Sequence, residues 1–359
     1  MEVPIRVLVV DDSPYVCRLL ASYLTDALDF HVVGTAHHGA RVLAMVHTLR
    51  PNVITLGLEL PDMSGLDVLD KIMHECPTPV VLLSGSSREA AALTLQGLSL
   101  GAVDFVQKHP PGTVPDALDH GLVAKIRAAS RIRVIRSLHV RRTPSRTPGQ
   151  RLTPTAIVKT VPPSEDGPST ITRVIVIGAS TGGPTALREL LSGLPADFAA
   201  AVIVVQHMPE AFTTVLAAQL DRTVPLHVRE AVDGDRLAHG TVLVAPGGLH
   251  LLVGPDGRIQ LTQEPEVGGH RPAIDVTMQS VAQRYGARSE GIILTGMGAD
   301  GAMGLLAIRT QGGMTCAQDA ASCVVDGMPH QAVATGAVDY IGTPSSIAQR
   351  LLLGARALR

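Results

Sequence analysis

The chain has 359 residues, 45% of them apolar and 17% charged, with a net charge of −2 at neutral pH. Its length asks for two domains rather than one, and its apolar content excludes a disordered chain. The near-zero charge excludes a whole-chain nucleic-acid binder, and 2% aromatic residues with no Trp leave cores to be built from Val, Leu, Ile, Ala and Met. Residues 5–10 read as an apolar strand that ends in Asp11-Asp12. Ser13-Pro14 then supplies an N-cap followed by proline at the first helical position. Val16, Leu19, Leu20, Tyr23 and Leu24 fall on one stripe of that helix. Strand-like runs recur at 30–33, 53–58, 80–83 and 104–106, with helical patterns between them. Five strands alternating with helices imply a doubly wound parallel sheet, whose ligands bind at the carboxyl ends of the strands. Asp11, Asp12, Ser84 and Lys108 fall there. Two carboxylates suit Mg²⁺, and a lysine with a hydroxyl suits a phosphoryl group.

These residues, with LGLELPDMSGLDVL and GAVDFVQK, resemble the response-regulator receiver domain over residues 1–129. The resemblance implies a phosphoacceptor aspartate at the end of the third strand, but that place is Gly57. Glycine can neither form an acyl phosphate nor ligate Mg²⁺, and it weakens a strand by about 0.5–1 kcal/mol relative to Ala. Glu59 and Asp62 are near in sequence but not in that place. The expectation is a pseudo-receiver, in which Asp11 and Asp12 are vestigial metal ligands and Ser84 and Lys108 are remnants of the switch. Phosphorylation at Asp11 or Asp12 is the alternative, and Mg²⁺ at this site is doubtful.

Residues 130–170 change character. They are rich in Pro, Thr, Ser and Arg without apolar periodicity, which reads as a flexible linker. Eight Lys or Arg and no acid fall between 131 and 160. A solvated basic tether is favoured over a nucleic-acid contact, because no aromatics are interleaved to stack on bases.

The second domain, 171–359, opens on VIVIGASTGGPTALRELL, a β-branched strand, a glycine-rich turn and a helix with Pro184 in its first turn. Leu187, Leu190, Leu191 and Leu194 give that helix an apolar face. Gly178-x-Ser180-x-Gly182 fits a nucleophile elbow, although a phosphate-binding turn has the same composition. A second buried strand at 201–205 ends in Gln206-His207-Met208-Pro209, and a third at 291–294 ends in TGMGADG. Each strand thus ends in a group that acyl transfer needs. Ser180 is the nucleophile, His207 its base, and Asp300 the group that orients the base. Amides of Met297 or Thr181 would bind the oxyanion. The order Ser, His, Asp disfavours an ordinary α/β-hydrolase.

GASTGGP, QHMP, HRPAID and TGMGADG, in that order behind a receiver-like domain, resemble the CheB family of chemotaxis protein-glutamate methylesterases. The resemblance implies a triad of Ser180, His207 and Asp300 with the Met297 amide as oxyanion donor, and no cofactor for catalysis. It implies methyl-accepting chemoreceptors as substrates, through glutamate methyl esters and glutamines on their cytoplasmic helices, and allows a chemotaxis histidine kinase as partner. It also implies that the receiver covers the esterase cleft until phosphorylation relieves the block. With Gly57, either the domains pack loosely or another partner supplies the release. The expected architecture is α/β, with two doubly wound parallel-sheet domains, receiver-like and Rossmann-like, joined by the linker. A non-catalytic scaffold with a degenerate phospho-switch is the runner-up, and a phosphate-binding regulatory protein a third reading.

His250, and His270 with Arg271, either line the receptor-binding cleft or are loop residues satisfied by backbone groups, the default for a lone histidine. Neither the fourteen histidines nor Cys17, Cys76, Cys316 and Cys323 show metal-ligand spacing. The cysteines read as small core residues in a reducing compartment. No apolar run is long enough to span a bilayer, and no cleavable leader pattern precedes the first strand, so a cytoplasmic protein without membrane insertion is expected.

Overall fold

The computed structural model describes residues 3–27, 29–108, 121–132 and 171–357. The expected linker and its basic stretch lie outside these residues, apart from their first few. In the first domain the order is β1 (Ile5–Val10), α1 (Pro14–Asp26), β2 (Phe30–Ala36), α2 (Gly39–Leu49), β3 (Val53–Gly57), α3 (Gly65–Glu75), β4 (Val80–Ser84), α4 (Arg88–Ser99), β5 (Asp104–Gln107) and α5 (Gly121–Ser130). The strands form one parallel sheet in the order β2-β1-β3-β4-β5. β3 and β4 are buried throughout, as continuous apolar runs in a sheet covered on both faces should be. Ser13 caps α1 as its sequence indicates, accepting from Val16 N.

The second domain runs β6 (Val174–Ala179), α6 (Gly183–Ser192), β7 (Ala201–Gln206), α7 (Glu210–Thr223), β8 (His227–Glu230), β9 (Thr241–Val244), β10 (His250–Val253), β11 (Ile259–Thr262), α8 (Ile274–Tyr285), β12 (Ser289–Ile293), α9 (Ala302–Thr310), β13 (Met314–Gln318), α10 (Gly327–Ala334), β14 (Tyr340–Gly342) and α11 (Pro344–Ala357). Seven strands form a parallel sheet in the order β14-β13-β12-β6-β7-β9-β8, with β10-β11 a separate antiparallel hairpin. The three long apolar runs of the sequence are β6, β7 and β12, the centre of this sheet. β8, β13 and β14 carry polar residues along three to five positions, too short and mixed to stand out by pattern. From β6 the chain winds one way to β7 and returns on the other side to β12, so the strand order reverses at β6. A crevice at the carboxyl ends of the strands opens at such a switch point.

The two domains pack closely, which departs from the first of the two alternatives that Gly57 left open, loose packing. The Phe105 ring of β5 stacks on Phe212 of α7, with centroids 4.4 Å apart and planes 16° from parallel. α4 lies along α7, where Gln219 Nε2 donates to Ser99 Oγ at 3.4 Å. Apolar residues of both domains join one buried cluster. The receiver-like domain therefore sits on the edge of the second domain that carries the strand-end loops.

Candidate active site

Ser180 is held by its backbone. Its N–H donates to Thr295 O at 3.0 Å, and its carbonyl accepts from Gly183 N at 2.8 Å and from Gln206 Nε2 at 2.9 Å. The turn needs two of its glycines. Gly182 stands at φ 80°, where a side chain is strained. A Cβ on Gly183 would lie 1.9 Å from Gln206 Oε1, so the glutamine amide that grips Ser180 needs that space. Leu187, Leu190 and Leu191 are buried and anchor α6 behind the turn, while Leu194, also buried, lies just past the helix end and not on its face.

His207 follows β7, and its N–H donates to Ala179 O at 3.0 Å, which sets it beside the Ser180 turn. Its Nε2 is 2.8 Å from Asp300 Oδ2, while its buried Nδ1 has no hydrogen-bond partner. Asp300 also accepts from Ile274 N (2.7 Å, Oδ2) and Asp275 N (3.0 Å, Oδ1), the first amides of α8. Burial alone would raise the Asp300 carboxyl. The His207 hydrogen bond and charge, with those two amides, hold it below the usual carboxylate range. An ionised Asp300 keeps the proton on Nε2 and leaves Nδ1 as the basic nitrogen. Neither Thr181 N nor Met297 N donates to another group among the described hydrogen bonds. Both amides remain available to an oxyanion.

Neither Gln206 nor Asp104 was singled out by sequence as functional. Gln206 grips the Ser180 carbonyl. Asp104, on β5 of the first domain, accepts a hydrogen bond from Thr181 Oγ1, and both residues are buried. Only tertiary packing brings a receiver carboxylate onto the residue after the serine. His270, assigned by default to backbone satisfaction, instead stacks on His207 with centroids 3.8 Å apart. His250 does follow the default, since Nδ1 accepts from Ala273 N and Nε2 faces Pro265 O.

Burial, then the neighbouring His207, push His270 down to about 4, with Lys125 of α5 acting the same way and Asp300 and Glu266 opposing. An unfolded histidine titrates near 6.5. Between those values the unfolded chain binds the extra proton, so stability falls as pH drops from about 6.5 to 4. The depressed Asp300 carboxyl loses its contribution only below its unfolded value near 3.8. Denaturant midpoints at pH 7 and pH 5 are expected to differ in wild type and to converge in His270→Phe; equal slopes in the two proteins would refute this.

In the first domain, Lys108 Nζ lies 3.0 Å from Asp11 Oδ2, and Ser13 N donates to Asp11 Oδ1 at 3.1 Å. Burial raises the Asp11 carboxyl, with Lys108 opposing. A Cβ on Gly57 would lie 2.7 Å from Asp11 Oδ2. The glycine thus has a packing consequence invisible in sequence, for the Asp11 carboxylate crowds the place a side chain would leave β3. Ser84 Oγ accepts from Thr94 Oγ1 at 2.6 Å and is buried. Asp62 accepts from Gly39 N and Ala40 N, capping α2, and Glu59 bridges to Ser64. Mg²⁺ demands a near-octahedral oxygen shell. Here Gly57 offers no side-chain oxygen, and the Lys108 ammonium already holds Asp11, so these residues do not fit the ion. No cluster of three or more His, Cys, Asp or Glu suited to a metal occurs among the described residues, and none of their helices is long and apolar enough to cross a membrane.

The CheB methylesterase family matches residues 175–351, and the response regulator receiver domain matches residues 7–116. A protein-glutamate methylesterase/protein-glutamine glutaminase of Symbiobacterium thermophilum is 44% identical over 352 residues, 97% of this chain and 96% of that one. One of the same description from Bordetella parapertussis is 41% identical, covering 99% of both chains. Among solved structures, the catalytic domain of the Thermotoga maritima CheB methylesterase is 40% identical, covers 50% of this chain and 96% of its own, and superposes with a TM-score of 0.49.

Proposed function

The chain belongs to the CheB methylesterase family, and we propose that Ser180, His207 and Asp300 carry its protein-glutamate methylesterase and protein-glutamine glutaminase activity. The observation behind this reading is the His207–Asp300 hydrogen bond, which leaves Nδ1 as a free base beside the Ser180 turn. Ser180 Oγ attacks the ester carbonyl as Nδ1 takes its proton. The tetrahedral oxyanion is held by the Thr181 and Met297 amides. The imidazolium returns the proton to the leaving oxygen, methanol departs, and an acyl-enzyme remains. Water, deprotonated by the same nitrogen, releases the glutamate. With a glutamine the leaving group is ammonia and the remaining steps are shared.

The substrates in this reading are glutamate methyl esters and glutamines on the cytoplasmic helices of methyl-accepting chemoreceptors, which implies a cytoplasmic protein. Gly57, the Asp11–Lys108 ion pair and the capping role of Asp62 support a receiver that takes no phosphoryl group from a chemotaxis histidine kinase. Its influence on the esterase is by contact, through Asp104 on Thr181 and Phe105 on Phe212.

Methanol release from a methylated receptor fragment tests both parts. Wild type is expected to be active and Ser180→Ala lower by about 10³-fold or more; equal inactivity of the two would favour the scaffold reading. Addition of a small phosphodonor with Mg²⁺ is expected to leave the wild-type rate unchanged, and stimulation would refute the pseudo-receiver.

A further inference from the structure

The acyl-transfer scheme has no step for His270, yet the fold goes to some length to place it. It closes the segment Val267-Gly268-Gly269-His270, in which the N–H of each end residue donates to the carbonyl of the other at 3.1 Å. The two central glycines stand at φ 62° and 80°, the pair of positive values that a tight two-residue turn requires. A hairpin built this way delivers the imidazole onto the face of His207, with planes 10° from parallel.

A histidine ring turns about a broad, two-fold torsion, so its side-chain linkage alone does not hold the plane. The Nε2–Asp300 bond fixes one point in that plane, but the ring can still tilt about the line joining the two atoms. Tilting leaves the Asp300 bond nearly intact while swinging Nδ1 away from its working direction. A flat group against one face removes that freedom. Resting on the proposed triad, we infer that His270 is a positioning residue, whose stacked ring fixes the tilt of the His207 imidazole and so the direction of Nδ1. The charged and titratable groups around it are His207 at the end of β7, Asp300 after β12, Glu266 beside the hairpin, and Lys125 of α5. Its depressed basicity fits the role, because a second cation on the ring face would oppose the imidazolium formed in each acyl-transfer step.

Two substitutions in the full chain separate planarity from mere filling of space. His270→Leu fills the volume without a flat face, and His270→Phe keeps the flat face. In His270→Leu, kcat for methanol release is expected to fall by about 10–100-fold, the usual effect of a slightly misdirected catalytic group, with KM within about 2-fold. In His270→Phe, kcat is expected to stay within about 3-fold of wild type. The downfield proton resonance of the His207 Nε2–H to Asp300 bond should broaden in His270→Leu and stay sharp in His270→Phe. Equal kcat in the two variants, or an unaltered resonance in His270→Leu, overturns the inference. A wild-type protein without activity would count against the proposed triad, and the resonance would still decide whether His270 orders His207.

Discussion

Asp300→Asn is expected to lower kcat for methanol release by on the order of 10⁴-fold while leaving a folded protein. The carboxylate accepts from His207 Nε2, Ile274 N and Asp275 N. An asparagine has one acceptor oxygen in place of two. If that oxygen takes the Oδ1 place it keeps Asp275 N, and the NH₂ group faces both Ile274 N and His207, selecting the tautomer with its proton on Nδ1, which cannot then take the proton of Ser180. If the oxygen turns to His207, an α8 amide loses its acceptor in a buried place, at about 1–3 kcal/mol. Either orientation therefore costs stability, and the first costs rate as well. Steady-state kinetics and a denaturant titration on the same preparation check both quantities. A loss below about 10-fold in kcat would mean that His207 is oriented by something other than Asp300.

Arg173→Met is expected to destabilise the second domain by about 3–5 kcal/mol, the usual result of leaving half of a buried ion pair. Arg173 is 2% exposed and binds Glu290 in a bidentate pair, with Nη2 to Oε2 at 2.8 Å. Its Nη1 also donates to Leu351 O at 2.9 Å, and its guanidinium lies over the Phe198 ring. One side chain thus ties the start of β6 to β12 and to α11. The single substitution leaves the Glu290 charge buried without its partner, whereas Arg173→Met with Glu290→Met removes both charges. The double variant is expected to recover most of the loss. Urea unfolding of the full chain for wild type and both variants measures it. A double variant as unstable as the single one would show that the Leu351 and Phe198 contacts, and not the ion pair, carry the effect.

Much of the architecture is legible because both sheets are built from continuous Val-, Ile- and Leu-rich runs. β6, β7 and β12 stand out for that reason, with Ser180 and His207 directly after the first two and Asp300 in the loop that follows the third. The elbow glycines were legible too, since a positive φ at Gly182 and the space beside Gly183 allow little else. Edge strands such as β14, Tyr340–Gly342, were not legible, because three mixed residues carry no period. At Gly57 the sequence revealed the missing carboxylate but not the Asp11 oxygen that crowds its place.

Residue identity and spacing establish which groups are present. A serine in a glycine turn, a histidine after one strand and an aspartate in the loop after another, and a glycine at the expected phosphoacceptor place all follow from residue identity and local spacing. Which of these groups meet depends on packing. His207 and Asp300 are 93 positions apart, and Asp104 and Thr181 are 77 apart. His270 reaches His207 only through the hairpin that follows β11. Such contacts depend on how sheets and helices pack, and packing pairs residues without regard to their distance along the chain. That is why a histidine whose role the sequence left open lies flat against the proposed base.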